Sequence, residues 1–328
     1  MKQLMLLFFI CSSAFAQEWT SRGSAFNPDI GVNALFLYQH SNQAPQTNGF
    51  TFEEMELQFT ADVDPYLRAQ LILSVERQEE GQTYGVDPEE AYAQTINIRN
   101  ITGQFGKYYF NFGKHNLLHP HNFPMIDLPL INQRLFGEEG LNLPAVGASY
   151  LFQTPWYLEM LVDYGQGKNE ELFKDFERRN QFLSVHLKNL WDLNPDTTME
   201  LGFTGGSAAE NISLWQSDLT FRWRPMVGGK YHALEWQSEV MGRDNQDLWG
   251  FYSHLKYQFA ERWWLTYRYD YADPLGELIQ RRNGILVAFA PSEFSAFRLE
   301  TDYNSSNRDT RVLLQMNLTI GAHPAHRY

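Results

Sequence analysis

Strict alternation between apolar and polar residues recurs along this chain. In the stretch 54–63, Met55, Leu57 and Phe59 alternate with glutamate, glutamine and threonine. A two-residue period places the apolar side chains on one face of a β-strand and the polar ones on the other. A helix would carry charged residues through its apolar face. The pattern therefore predicts strands with a different solvent on each side.

Sixteen such segments occupy the chain from residue 30 onwards. They are predicted at 30–39, 50–62, 67–77, 89–98, 101–112, 145–153, 156–164, 180–190, 197–205, 212–224, 231–241, 248–259, 263–272, 284–290, 294–303 and 310–320. An even strand number is typical of single-chain bacterial outer-membrane barrels. The predicted fold is all-β, a transmembrane antiparallel up-and-down β-barrel forming one domain over residues 17–328.

Composition agrees with a barrel and argues against other classes. Aromatic residues make up 15% of the chain, as expected if both membrane interfaces carry aromatic girdles. The mean hydropathy is −0.43, and no run beyond the N-terminal segment approaches the roughly 18 apolar residues of a membrane helix. A secreted β-sandwich or periplasmic binding protein is the soluble alternative. The net charge of −13 argues against nucleic acid as a partner.

The N-terminal residues 1–16 have the pattern of a signal peptide. Lys2 supplies a positive charge, the stretch 4–10 is apolar, and Ala14 and Ala16 form a small-residue cleavage site. The mature chain is predicted to begin at Gln17. Because Cys11 is the only cysteine and lies in this signal, no disulfide is expected afterwards. Export and a barrel together predict the outer membrane of a Gram-negative bacterium, with its lipid as a partner.

The connections alternate between short and long, as periplasmic turns and outer loops do in such barrels. The predicted short turns are 63–66, 99–100, 153–155, 191–196, 225–230, 260–262 and 291–293. The longer connections include 40–49, 78–88, 113–144, 165–179 and 273–283. By this parity, residues 113–144 form the third outer loop, called the third loop below. Beyond residue 320 the alternation stops before Pro324, so either the barrel ends there or its last strand is irregular.

A family resemblance rests on the strand that enters the third loop. Gly103, Phe105, Gly106 and Lys107, followed by the sequence FGK at 112–114, resemble sixteen-stranded porins of the phosphate-selective O and P type. The resemblance implies a diffusion channel, often a homotrimer, whose third loop folds into the lumen. The loop departs from the basic lining of phosphate channels, so the resemblance implies a channel but does not carry phosphate over as its solute.

The third loop is predicted to constrict the channel. It contains many apolar residues, such as Met125, Ile131 and Phe136, and each forgoes roughly 1.5–3 kcal/mol if it stays in water. They are expected to pack inside the barrel; the alternative is an outward fold onto other loops or another subunit. The predicted constriction residues are Lys114, His115, His119, His121, Asp127, Arg134, Glu138 and Glu139.

Three of these residues suggest a metal site. His115, His119 and His121, with Asp127 nearby, offer ligands that zinc or another borderline metal accepts. Their spacing matches no standard zinc motif. The alternative is a polar loop whose imidazoles hydrogen-bond to the neighbouring backbone and to the barrel wall.

Charged residues on the polar strand faces are predicted to line the pore, where they would tune ion passage or pair across strands. They are Glu54, Glu56, Asp62, Arg68, Glu76, Arg222, Arg224, Glu235, Glu239, Arg268, Arg298 and Glu300. No hydrolase, phosphate-loop, zinc-protease or EF-hand motif is present, and Ser184 with His186 on one strand lacks a third catalytic group.

The function predicted from these features is a non-enzymatic porin-like channel for small hydrophilic solutes or ions, leaning towards cations, without a cofactor. A receptor or channel that binds a metal ion or metal complex through loop histidines is the alternative. A barrel-embedded hydrolase is the third hypothesis.

Overall fold

A closed antiparallel barrel of sixteen strands forms within the residues described by the computed structural model, which are 28–77, 83–173, 180–208, 212–226, 228, 231–244, 248–273 and 278–321. The strands are β1 (Asp29–Ser41), β2 (Gly49–Asp64), β3 (Leu67–Arg77), β4 (Tyr84–Thr95), β5 (Ile101–Tyr109), β6 (Asn142–Phe152), β7 (Tyr157–Gly167), β8 (Asn180–Asn194), β9 (Thr197–Ala208), β10 (Ile212–Trp223), β11 (Ala233–Arg243), β12 (Leu248–Ala260), β13 (Trp263–Asp273), β14 (Gln280–Ser292), β15 (Ser295–Asn304) and β16 (Asp309–Gly321). Each strand pairs with its neighbours in sequence, and β1 pairs with β16 to close the barrel.

The predicted fold class is confirmed, and each predicted strand overlaps an observed one. The largest shift is at β4, which was predicted at 89–98 and begins at Tyr84. The prediction began after Pro88, because proline is normally excluded from a central strand. Here the pairing skips Glu89, since Leu73 faces Pro88 and Ile72 faces Glu90. Proline is tolerated beside such a β-bulge.

The two faces of the wall have opposite chemistry, as the alternation predicted. In β8 the outward Leu183, Val185 and Leu187 are 43%, 39% and 38% exposed, whereas the inward Ser184 and His186 are only 1% and 9% exposed. Exposed apolar side chains on this scale require a lipid solvent rather than water. The polar core of the molecule therefore lies inside the barrel.

Outward aromatic residues form a band near each end of the barrel. At the end with the short turns, Trp156 stacks on Trp191, with ring centroids 6.5 Å apart. At the opposite end, here called the loop end, Trp249 lies 5.1 Å from Tyr271. Such girdles belong at the two membrane interfaces. No helix in the described part of the chain is long and apolar enough to cross a membrane.

The connections follow the predicted parity. At the short-turn end, β2 joins β3 through two residues, Pro65 and Tyr66, and β12 joins β13 through Glu261 and Arg262. At the loop end the third loop is the long connection, spanning 110–141, although β15 and β16 are joined by only residues 305–308. The predicted signal peptide 1–16 and the tail 322–328 lie outside the described residues.

Candidate functional site

The third loop is built from short helical turns punctuated by proline and glycine. Two 3₁₀ turns, His115–Leu117 and Pro120–Asn122, precede the helix α1 (Leu130–Phe136). Pro129 immediately precedes the helix, where its missing N–H costs nothing. Gly137, at a φ of +75°, ends the helix in a conformation that other residues rarely adopt. The loop is therefore folded throughout.

Apolar side chains of the third loop pack on the inner wall, as predicted. Ile131 and Phe136 of α1 are 0% and 1% exposed and join one core cluster with Phe182 and Met241 of the strands. Met125 is 0% exposed and belongs to a second cluster with Trp264. The loop thus folds into the lumen and takes two patches of the wall as its core.

Carboxylates of the wall hold the loop by its backbone. Glu239 Oε1 accepts hydrogen bonds from the N–H groups of Lys114 and His115, at 2.8 and 3.0 Å. Glu300 Oε2 accepts one from the N–H of Ile126, at 2.7 Å. Two residues predicted to line the pore are therefore placed as anchors.

Arginines hold the carbonyl groups of the same loop. Arg298 donates to the oxygen of Phe123 at 2.6 Å, and Arg268 donates to that of Asp127 at 2.7 Å. Arg282 donates to the oxygen of Leu128. These guanidinium groups therefore hold the loop backbone against the inner wall.

Asp127 is the ionic centre of this attachment. Its carboxylate pairs with Arg282 at 3.1 Å and also with Arg311, which in turn pairs with Asp302 at 2.7 Å. Burial favours the neutral form of Asp127, but Arg311 and Arg282 outweigh it and hold the pKa of this carboxyl below its usual range. The loop is therefore locked to β14 and β16 by a charged cluster.

The remaining loop charges lie before, within and after the helix α1. Lys114 Nζ donates to Thr220 at 2.5 Å and pairs with Glu200 at 3.2 Å, while burial lowers the pKa of its ammonium. Arg134 donates to Gln280 at 3.4 Å. Glu138 and Glu139 point into the cavity described below.

The other predicted lining residues occupy three environments. Arg222 bridges Glu235 at 2.7 Å and Glu200 at 3.4 Å on the inner wall. Asp62 and Arg68 pair with each other at 2.6 Å beside the β2–β3 turn, where Asp62 is mostly exposed. Arg224 lies beyond the end of β10 and is exposed.

The three loop histidines separate in space. His115 stacks on Phe123, with ring centroids 4.5 Å apart, and burial followed by Arg268 and His254 holds its pKa well below the usual range. His119 and His121 instead stack together 5.8 Å apart. The predicted three-histidine ligand set is therefore not the group of donors that the fold assembles, because His115 is drawn into an apolar contact.

Two β-bulges concentrate carboxylates where simple alternation does not place them. The pairing of β1 with β2 skips Glu53, since Leu35 faces Glu54 and Phe36 faces Phe52. A bulge turns two consecutive residues towards one side, so Glu53 and Glu54 both enter the lumen, as Glu89 and Glu90 do in β4. Both bulges have a sign in the sequence. Each pair of adjacent glutamates interrupts the alternation of apolar and polar residues, and Pro88 precedes the second pair.

A cavity of about 450 Å³ lies between the third loop and the wall at the loop end. The acidic side chains that the wall contributes to its lining are Glu53, Glu54, Glu76, Asp87 and Glu89. The third loop adds Asp127, Glu138 and Glu139. Among the described lining residues the opposing cations are Arg282 and Arg311, both paired with Asp127. Carboxyl groups therefore outnumber arginines in the described lining by eight to two.

Desolvation and the neighbouring carboxylates change the pKa of Glu139. Glu139 is exposed yet lines the cavity. Desolvation, followed by the charges of Glu76, Glu89 and Asp87, raises the pKa of its carboxyl to about 7, while Lys107 opposes them.

Comparisons with known proteins agree with the architecture. No protein-family model matches the chain. A protein of Aquifex aeolicus (strain VF5), described only as uncharacterized, is 25% identical over 92% of this chain and 75% of its own length. Among solved structures, the chain resembles Pseudomonas putida OprB, with a TM-score of 0.63 and 9% identity over 90% of this chain and 94% of that one. It also resembles an anion-selective porin from Comamonas acidovorans, with a TM-score of 0.60 and 11% identity over 90% and 99% of the two chains. The fold is that of Gram-negative outer-membrane porins and channels.

Proposed function

We propose that this protein is an outer-membrane channel for the passive diffusion of small hydrophilic solutes, with cations favoured over anions. The observation that carries the proposal is the acidic cavity beside the third loop. Charged walls of one sign concentrate ions of the opposite sign and tune which ions pass. The porin fold supplies the barrel, and the inward third loop supplies the narrowing.

The expected charge preference distinguishes the proposed channel from the phosphate-selective porins that the sequence resembles. A phosphate-selective channel needs unpaired cationic groups along the path, and the solved porin from Comamonas acidovorans is described as anion-selective. Here Arg282 and Arg311 are neutralised by Asp127 and its neighbours. Phosphate is therefore not the solute that we propose. A homotrimer, the signal peptide 1–16 and contact with outer-membrane lipid remain predictions of the sequence.

Neither a receptor built on all three loop histidines nor a hydrolase is favoured. A receptor that captures metal through His115, His119 and His121 lacks a converged set of those three imidazoles. For a hydrolase, His186 would have to activate Ser184, but Ser184 Oγ makes no hydrogen bond to any described residue and His186 Nδ1 is bonded to Thr204 Oγ1 at 2.8 Å. Neither arrangement supplies the geometry that its chemistry requires.

The reversal potential across a planar bilayer tests the proposed channel. With a tenfold potassium chloride gradient, the full-length protein should give discrete conductance steps and a reversal potential displaced towards that of potassium, because the lining is acidic. Empty detergent micelles provide the blank. An absence of steps would contradict the channel, and displacement towards chloride would contradict its cation preference.

The cation preference should increase with pH through the neutral range. The pKa of Glu139 is raised to about 7, so its carboxyl is largely neutral below that pH and charged above it. The reversal potential should therefore move towards potassium between about pH 5.5 and about pH 8.5. Glu139→Gln should reduce this change. Asp64→Asn, which alters an exposed carboxylate at the short-turn end, should retain it; an unaltered response in Glu139→Gln would show that other groups are responsible.

A further inference from the structure

We propose that Glu56, Glu89 and His119 form a binding site for a divalent transition-metal ion of the zinc type, at the junction of the third loop and the barrel wall. The three residues come from β2, β4 and the loop. The site does not depend on ion flow through the barrel, so it stands apart from the proposed function.

The spacing of the donor atoms suits one ion. Each residue offers one ligand atom, and the three atoms lie within 4.8 Å of one another. His119 Nδ1 lies 3.2 Å from Glu89 Oε1 and 3.6 Å from Glu56 Oε1. Zinc bonds nitrogen and oxygen at about 2.0–2.2 Å, which places neighbouring tetrahedral ligands roughly 3.3–3.6 Å apart. The two separations from His119 Nδ1 therefore match those of ligands that share one metal ion.

Two atoms at this place are buried without hydrogen bonds. His119 Nδ1 forms ion-pair contacts with both carboxylates but meets no hydrogen-bond geometry among the described residues. Glu89 Oε2 is likewise unpartnered within the described part of the chain, although Glu89 is only 8% exposed. Leaving a buried donor or acceptor unsatisfied costs about 1–3 kcal/mol, and a bound metal ion would remove this cost at His119 Nδ1.

Further hydrogen bonds hold the three residues, including the two carboxylate oxygens nearest His119 Nδ1. His119 Nε2 lies 3.3 Å from Glu90, and Glu89 Oε1 accepts a hydrogen bond from the Tyr109 hydroxyl at 2.6 Å. Glu56 Oε1 lies 3.0 Å from His121 Nδ1. Metal-binding histidines typically donate their second N–H to a carboxylate, and bound carboxylates are themselves hydrogen-bonded. The arrangement has both features.

The chemistry of the donors selects the class of ion. Two carboxylates and one imidazole suit borderline divalent metals, whereas calcium and magnesium prefer oxygen ligands alone. Two ionised carboxylates would balance the charge of a dication. Three protein ligands leave a fourth position open to water. Zinc is the probe that follows from this set.

Zinc titration calorimetry on the purified full-length protein in detergent tests the site. The wild type should bind one zinc ion per chain. Glu89→Gln and His119→Ala, which each remove a ligand, should weaken binding by more than about 100-fold, and Tyr109→Phe, which removes only an orienting hydroxyl, by roughly 10-fold. Zinc should also raise the unfolding midpoint of the wild type, because it joins the loop to two strands.

Matched controls separate a specific site from general acidity. Glu159 also accepts a hydrogen bond from a tyrosine hydroxyl at 2.6 Å, and His186 is another inward histidine, so Glu159→Gln and His186→Ala should bind zinc like the wild type. Absence of wild-type binding, or undiminished binding by His119→Ala, would overturn the site. The wild-type result decides the matter alone if a variant fails to form a heat-resistant barrel.

Discussion

Replacing residues 115–139 with a short Gly-Ser linker is expected to raise the single-channel conductance several-fold. The third loop places α1 and two buried apolar clusters inside the lumen, whereas a sixteen-stranded barrel without such a filling encloses an aqueous channel. The strands at the two ends of the deletion, β5 and β6, pair with each other, so the wall should close without the loop. Conductance in planar bilayers measures the effect.

The control deletion shortens the first outer loop. Removing residues 43–47, which form a short turn beside the end of β1, should leave the conductance close to that of the wild type. Retention of a heat-resistant barrel in both deletions would show that the wall has formed. An unchanged conductance after loss of residues 115–139 would mean that the third loop does not limit flow.

Asp127→Asn is expected to destabilise the protein and to move its ion preference towards anions. The substitution leaves Arg282 and Arg311 without their shared carboxylate in the lumen. Removing one partner of a buried ion pair costs about 3–5 kcal/mol; because the Asp127 side chain is 25% exposed, we expect about 2–3 kcal/mol. Denaturant unfolding in detergent measures the stability loss, and reversal potentials measure the selectivity.

Asp62→Asn is the matched control for this change. It removes the same charge from an ion pair in which the Asp62 side chain is 55% exposed beside a short turn. Exposed pairs contribute about 0–1 kcal/mol, so stability should change little. If Asp127→Asn behaved like Asp62→Asn, the charged cluster would not be what holds the loop.

The prediction from sequence succeeded where the polarity of a side chain depends only on the solvent that it faces. The alternation in β8 and β2 placed leucine and valine outside and the polar residues inside, and the structure confirms it. The apolar content of the third loop likewise predicted that the loop would pack inside the barrel. Ile131 and Met125 are fully buried there, which confirms it.

Prediction was less accurate where long-range pairing decides the outcome. Asp127 and Arg311 are separated by 184 residues, and no local pattern connects them. The two bulges reverse the simple alternation at Glu53 and Glu89, because one inserted residue shifts the facing of its neighbours. Three nearby histidines suggested one metal site, but the loop turns send His115 to Phe123 and His119 to the wall carboxylates.

By itself the sequence determined the barrel, its strand number and the position of the third loop, because two-sided solvation imposes a two-residue period that can be read locally. Only the tertiary structure decided which charges anchor the loop, which line the acidic cavity and which donors surround His119. Those contacts depend on register, bulges and closure of β1 on β16. They arise from side chains that meet only when the whole barrel has formed.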